Sequence, residues 1–421
     1  MNKFLIQGGI PLKGEVKISG AKNSALPILC SSILAEDKCR YLNIPNLKDV
    51  STMIKVLETL GAKVSKDHDN TIIVDPSGIA LYEAPYDLVK TMRASILVLG
   101  PLIAKYKKAR ISLPGGCAIG VRPIDQHLKG LAKMGAHIEM SHGYVLASTK
   151  GLKGARIVFD KPTVGGTENI MMAATMAEGK TIIEGAAKEP EIADLADVLN
   201  KMGAKIKGAG EATIIIEGVK KLSKATHTII PDRIEAGTFM VASAITKGNL
   251  TIKGARVDHI LSIIEKLRGM GVVVNEIGKK TLIVDGNNEL KPIDVETAPF
   301  PGFPTDMQAQ TTALACIADG VSSITENIFE NRFMHVPELM RMGANLEEKG
   351  RTVLVRGVNR LQGATVMATD LRASASLVLA ALNAKGTTEI RRIYHLDRGY
   401  ENIDKKLLSL GARIERESGG L

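Results

Sequence analysis

An α/β protein of two domains, each built from three copies of one folding unit, is what this 421-residue sequence predicts. Three observations carry the prediction. The phrase L-x-x-x-G-A, or a near relative, occurs six times, in LETLGAKV, LAKMGAHI, LNKMGAKI, LRGMGVVV, LMRMGANL and LLSLGARI. Its glycines, Gly61, Gly135, Gly203, Gly271, Gly343 and Gly411, are 74, 68, 68, 72 and 68 residues apart. The last copy stops at ARIERESGGL, and the N-terminal KFLIQGGIPLKGEVKISG reads as the pair of strands it lacks.

Each element of the unit follows from local pattern. A helix of small apolar residues, as in ENIMMAATMAEG, leads into a strand such as KTIIEGAA. The L-x-x-x-G-A helix comes next, and its glycine stands where a helix C-terminus needs a residue in the left-handed region. A strand, a turn and a strand of the type TIIIEG, TLIVDG or TVLVRG complete a βαβαββ order. The Ala-, Gly- and Met-rich helices have no polar face and are expected to be buried on most sides. Solenoids repeat every 20–50 residues, so a period near 70 indicates compact subunits of structure instead. The expected division is residues 21–230 as one domain, and residues 231–421 with 1–20 as the other.

Composition narrows the function. Apolar residues are 45% and charged residues 24% of the chain, as in an ordinary globular protein. The start MNKFLIQGGIPLKG has no signal-peptide pattern, and no window approaches 18 unbroken apolar residues. Cys30, Cys39, Cys117 and Cys316 form no CxxC pair and have no His-rich neighbourhood. The expectation is a cytoplasmic protein without a structural metal. An excess of ten basic over acidic residues suits an anionic partner. Only 3% aromatics, no Trp and no long basic run argue against nucleic acid and favour a phosphorylated small molecule.

The polar junctions before the six buried helices locate the candidate site. They read SGAKNSALP, APYDLVKTMRAS, FDKPTVGGTEN, IIPDRIEAGT, PGFPTDMQAQ and ATDLRAS. They hold Lys22 and Asn23; Arg93; Lys161 and Thr163; Asp232 and Arg233; Asp306; Asp370 and Arg372. Helix N-termini with added cations suit a multiply negative ligand. The alternative is that Asp232, Asp306, Asp370 and Thr163 cap helices while the arginines pair with carboxylates. Between Ile111 and Leu128 lies SLPGGCAIGVRPIDQH, a loop with Gly115, Gly116 and Gly120, followed by Arg122 and Asp125. Cys117 at its tip stands near a fixed positive charge, the setting that lowers a thiol pKa below about 8.5. Cys30, Cys39 and Cys316 read as structural, and His127, His335 and His395 as structural or peripheral.

Over its full length the sequence resembles the UDP-N-acetylglucosamine 1-carboxyvinyltransferases. The strings that carry the likeness are SGAKNSALPIL, APYDLVKTMRAS, PGGCAIGVRP, EPEIADLA, PDRIEAGTF, FPTDMQAQ, ENRFMHVPEL, ATDLRASASLVLA and YHLDRGYE. The resemblance implies two inside-out α/β barrel domains of three units each, closing over a cleft. It implies transfer of the enolpyruvyl group of phosphoenolpyruvate to UDP-N-acetylglucosamine, the first committed step of peptidoglycan synthesis. No cofactor is implied, since lysine and arginine neutralise the charge, and the oligomeric state stays open.

Residue by residue, the resemblance gives Lys22 and Asn23 to phosphoenolpyruvate and the tetrahedral intermediate. It gives Arg93 to the nucleotide sugar, and Arg122, Pro123, Ile124, Asp125 and Gln126 to the uridine end. Lys161, Thr163, Val164 and Ile328 fall at the same substrate; Asp370 and Arg372 complete the binding set. Arg122 and Arg398 match arginines that hold phosphate and carboxylate. Cys117 matches a proton donor that forms a phospholactyl adduct and is the target of fosfomycin, and Asp306 matches the acceptor of the sugar hydroxyl proton. Thr163 and Gln126 depart from the residues many relatives carry. The shikimate 3-phosphate enolpyruvyl transferases share the six-unit design but lack a comparable cysteine loop. An RNA 3′-phosphate cyclase or a non-catalytic paralogue are the other readings.

Overall fold

The computed structural model describes residues 2–90, 92–113 and 124–417, with the side chain of Arg93 also outside that set. The described residues contain six four-stranded sheets, and all six have one pairing pattern. In one of them Asp294–Glu296 runs parallel to Val321–Thr325, which pairs antiparallel with Thr352–Arg356, itself antiparallel to Asn345–Lys349. The chain order within that copy is strand, helix, strand, helix, strand, strand, the βαβαββ order expected from the sequence.

The chain divides into two compact units. One comprises the described residues from Gly20 to Ile230; the other comprises those up to Ser19 and from Pro231 onward. Each holds three of the sheets. The N-terminal strands enter two sheets of the second unit. Lys3–Gln7 lies between Thr387–Arg391 and Arg413–Glu417, and Lys13–Lys17 lies parallel to Asn249–Lys253. In the first unit, Thr226–Thr228 closes the circle by pairing with Cys39–Leu42.

Helices lie inside and sheets outside, for a reason visible in the residues. Along Arg233–Ile245 every residue from Ile234 to Ile245 is buried, and along Leu371–Asn383 every residue from Arg372 to Leu382. Small side chains let these helices and Gln308–Ala315 pack on one another. The strands alternate buried and exposed positions, as Thr213–Glu217 does, so each sheet has one apolar face and one wet face. The L-x-x-x-G-A helices are amphipathic; Lys48–Leu60 buries Val50, Met53, Ile54, Leu57 and Leu60.

The second repeat of the first unit departs from the others. Its junction folds as a short helix, Tyr86–Val89, then a 3-10 segment, Arg93–Val98, before the helix Leu99–Tyr106. Arg93 is therefore not at a simple strand-to-helix turn, as repeat symmetry had placed it.

All six repeat glycines have positive φ, from 87° at Gly343 to 109° at Gly61. At Gly61 a Cβ would also stand 2.3 Å from the Gly78 carbonyl oxygen, whereas Gly203 has open space around it. Gly203→Ala is expected to cost about 1–2 kcal/mol from conformation alone. Gly61→Ala should cost clearly more, and urea denaturation of the two variants measures the difference.

Candidate functional site

In the unit from Gly20 to Ile230, the helix Lys22–Ser31 begins at an extended Ala21 with no side-chain cap. Its first turn is held from three sides. Ala21 N–H donates to the Ile230 carbonyl at 2.7 Å. Ser24 Oγ donates to Asp194, whose other carboxylate oxygen lies 2.8 Å from His227 Nε2. Lys22 Nζ lies 3.3 Å from Asp49 Oδ2, with the lysine side chain 12% and the aspartate 6% exposed. A lysine so enclosed has lost most of its rotamer freedom, and Asp49 sets where its ammonium points. Asn23 follows, half-buried.

Gln126 and Thr163 organise the third repeat of this unit. Gln126 Oε1 accepts from Asp160 N–H at 3.1 Å, and its Nε2 donates to the Lys161 carbonyl at 3.1 Å. Both ends of its amide thus hold the backbone that presents Lys161, an exposed side chain. Thr163 caps the helix Val164–Ala174 by accepting from Gly166 N–H at 3.2 Å. Ile124 and Val164 pack partly against the core. Asp125 is exposed and pairs with Lys129 at 3.1 Å. Cys117, Arg122 and Pro123 lie outside the described residues, as does the Arg93 side chain.

In the other unit the capping alternative holds for two aspartates and fails for the third. Asp232 Oδ1 accepts from Ile234 and Glu235 N–H, and Asp370 Oδ1 from Arg372 and Ala373 N–H. Asp306, in the 3-10 turn Thr305–Met307, caps nothing. Its Oδ1 accepts from Arg332 Nη2 at 2.6 Å and its Oδ2 from Arg372 Nη2 at 2.8 Å. The arginine side chains are 5% and 4% exposed, while Asp306 keeps 25% of its side-chain surface open. Burial opposes ionisation of this carboxylate, but the Arg372 and Arg332 guanidinium groups prevail and hold its pKa well below the usual range. A carboxylate offers about four lone-pair sites. Two are taken here, which leaves acceptor capacity on the open side for an incoming hydroxyl.

Two guanidinium groups face the Asp306 carboxylate from opposite oxygens. Arg372 Nε and Nη1 are buried and have no hydrogen-bond partner among the described residues. Arg233 lies over the Phe300 ring, 5.7 Å from its centroid. Ile328, 38% exposed, follows the strand Val321–Thr325 and the buried Glu326. Arg398 ends the 3-10 segment Ile393–Arg398 and is half-buried. The neighbouring Asp397 accepts a bidentate pair of bonds from Arg416 at 2.9 and 3.2 Å.

Four residues of these clusters escaped the sequence reading. Arg332 sits inside ENRFMHVPEL but at no repeat junction, so symmetry did not point to it. Thr305 lies within FPTDMQAQ but was not singled out beside Asp306, and Glu326, which extends the network, lies in none of the quoted strings. Asp49 reads from sequence as an acid complementing a helix N-terminus.

The remaining thiols and imidazoles are interior groups. Burial raises the Cys30 thiol well above its ordinary value and pushes Cys316 up to about 12. His127 is held at about 4 by burial, against the opposing charge of Asp125, and its Nδ1 accepts from Asn169 Nδ2 at 3.1 Å. His335 is likewise held at about 4 by burial, with Asp370 opposing and Arg332 reinforcing. Both are neutral when folded, and the unfolded chain protonates near 6.5. Stability is therefore unaffected by them above about pH 6.5 and falls as pH drops toward 4, by about 3 kcal/mol for each histidine. Urea unfolding at pH 7 and pH 4.5 measures the fall, and His127→Gln should make it smaller.

Comparison with known proteins adds the following. The family model for EPSP synthase (3-phosphoshikimate 1-carboxyvinyltransferase) matches residues 6–407. A UDP-N-acetylglucosamine 1-carboxyvinyltransferase from Geotalea daltonii is 58% identical over 417 residues, covering 99% of each chain. One from Trichlorobacter lovleyi is 57% identical over 420 residues, covering 99% of this chain and 100% of the relative. Among solved structures, the enolpyruvyl transferase NikO from Streptomyces tendae matches with a TM-score of 0.90 at 27% identity, over 100% of this chain and 99% of that one. EPSP synthase from Acinetobacter baumannii matches with a TM-score of 0.79 at 19% identity, over 99% and 100% of the two chains, a likeness of fold.

Proposed function

The chain belongs to the UDP-N-acetylglucosamine 1-carboxyvinyltransferases, within the enolpyruvyl transferase family, and we propose that it moves the enolpyruvyl group of phosphoenolpyruvate onto the sugar 3-hydroxyl of UDP-N-acetylglucosamine. The observation that carries this reading is identity of 55–58% across 99% of the chain with enzymes of that name. The clamped Asp306 carboxylate, with one face open beside two buried arginines, supplies a group suited to the chemistry. Lys22 and Asn23 serve phosphoenolpyruvate and the tetrahedral intermediate, and Arg372 holds the Asp306 carboxylate in place.

The reaction begins with protonation of phosphoenolpyruvate at C3, for which Cys117 is the donor. C2 then carries positive charge, shared with its oxygen. The sugar 3-hydroxyl adds to C2 and its proton passes to Asp306. A carboxylate held at low pKa is a weak base toward a free alcohol. Once the new C–O bond forms, however, the hydroxyl becomes a strong acid, and a weak base with an open lone pair suffices. From the tetrahedral intermediate, C3 returns its proton to the Cys117 thiolate, the C2–O bond to phosphate breaks, the double bond is restored, and the proton held by Asp306 leaves with the phosphate. Lys22, Arg122 and Arg398 neutralise phosphate and carboxylate throughout, a task for fixed cations in a dry site.

The step feeds peptidoglycan synthesis in a bacterial cytoplasm. The same cysteine is the group through which the phospholactyl adduct and fosfomycin inactivation would arise. Uridine is read by Arg122, Pro123, Ile124, Asp125 and Gln126, with Gln126 acting through the backbone it holds. Lys161, Thr163, Val164 and Ile328 bind the same substrate, as does Arg93. Asp370 serves by capping the helix that carries Arg372.

Phosphate release from phosphoenolpyruvate, measured in parallel with UDP-N-acetylglucosamine and with shikimate 3-phosphate, tests the proposal. Release with the nucleotide sugar alone is expected. Release with shikimate 3-phosphate alone would overturn the substrate, and silence with both would overturn the activity.

A further inference from the structure

We infer that Glu326 is a positioning residue that ties the Ile328 segment to the Asp306 carboxylate through the Thr305 hydroxyl and Arg332. The inference rests on the reading above, in which Asp306 takes the sugar hydroxyl proton and Ile328 lies against the nucleotide sugar.

Glu326 is 1% exposed, and the hydrogen-bond donors to its carboxylate among the described residues are all uncharged. On one side Oε1 accepts from Ile328 N–H at 2.8 Å, Phe329 N–H at 3.1 Å and Thr297 Oγ1 at 2.9 Å. These bonds fix the turn that presents Ile328. On the other side Oε2 accepts from Thr305 Oγ1 at 2.7 Å. Thr305 Oγ1 in turn accepts from Arg332 Nη1 at 2.7 Å, and Arg332 Nη2 donates to Asp306 Oδ1 at 2.6 Å.

The direction of every bond is forced. A guanidinium only donates and an ionised carboxylate only accepts. The single Thr305 proton must therefore point at Glu326, and the Thr305 lone pair at Arg332. The hydroxyl relays the Glu326 negative charge to Arg332, which orients the Asp306 carboxylate. A shift of the Ile328 turn when substrate binds would be transmitted along this line to the proton acceptor. A purely structural role for Glu326, folding the 326–329 turn, predicts that the Thr305 branch is dispensable.

Thr305→Val keeps shape and leaves the three turn bonds untouched, so it separates the two roles. It is expected to lower kcat about 10- to 100-fold through misplacement of Asp306, with KM for the nucleotide sugar changed less than about threefold. Thr305→Ser, which keeps the hydroxyl, should recover at least half of the wild-type kcat. Glu326→Gln can still present its carbonyl oxygen to the turn, but it then sets an NH2 against Thr305 and breaks the same relay. The double variant Glu326→Gln, Thr305→Val should accordingly be no slower than the slower single variant. Wild-type kcat in Thr305→Val, or a double loss equal to the product of the two single losses, would overturn the inference. Asp306→Asn run alongside separates the two claims. If it also turns over normally, the role of Asp306 is wrong; if it alone fails, only the relay is wrong. Should Thr305→Val not fold, by its melting curve, Thr305→Ala takes its place with the same outcomes.

Discussion

Asp306→Asn is expected to slow enolpyruvyl transfer by about 10²–10⁴-fold, the span of a lost general base. The substitution keeps the shape of the side chain and removes its charge. Arg332 and Arg372, whose side chains are 5% and 4% exposed, then face each other without the carboxylate between them. Breaking a buried pair by removing one partner costs about 3–5 kcal/mol, so the melting temperature should fall as well. The kinetic signature is distinct from that instability. At a temperature where the variant is fully folded, kcat should stay low while binding of the nucleotide sugar is retained within an order of magnitude. A folded variant with wild-type turnover would remove Asp306 from the chemistry.

Lys22→Ala is expected to lower kcat/KM for phosphoenolpyruvate by about 10²–10³-fold, as the loss of a fixed donor to developing charge does. Lys22 stands at the first position of its helix, and its ammonium is directed by Asp49 at 3.3 Å. Lys22→Arg should not restore the rate. A broad planar guanidinium cannot occupy a nearly closed site built for a compact point charge. Initial rates over a matrix of both substrate concentrations place the loss on phosphoenolpyruvate. A loss confined to the nucleotide sugar would contradict the assignment of Lys22.

The repeats were legible because their signals are local and recur. A glycine after an amphipathic helix needs a left-handed conformation wherever it stands, and all six of them have it. The missing strands could be read from the N-terminus because KFLIQGGIPLKGEVKISG resembles the strand pair of another copy, TIIIEGVKKLSKATHTIIPD, and Lys3–Gln7 does complete the sixth sheet. The junction residues were found as a set, but their separate jobs were not. Asp232, Asp306 and Asp370 look alike in sequence, yet two cap helices and one is clamped by arginines. What separates them is Arg332, which reaches Asp306 from 26 residues away along a segment without periodicity. Glu326 and Thr305 were invisible for the same reason, since a buried relay is defined by contacts made after folding. The amide of Gln126 also holds the backbone of Asp160 and Lys161, a role that sequence did not show.

The most direct test of the central claim is the identity of the product. The protein is incubated with phosphoenolpyruvate and UDP-N-acetylglucosamine, and the nucleotide sugar is isolated and analysed by mass spectrometry and proton NMR. The account predicts a nucleotide sugar carrying one carboxyvinyl group in ether linkage at the 3-hydroxyl, with one phosphate released for each product molecule. Recovery of unmodified UDP-N-acetylglucosamine from an assay in which the protein is folded would contradict it.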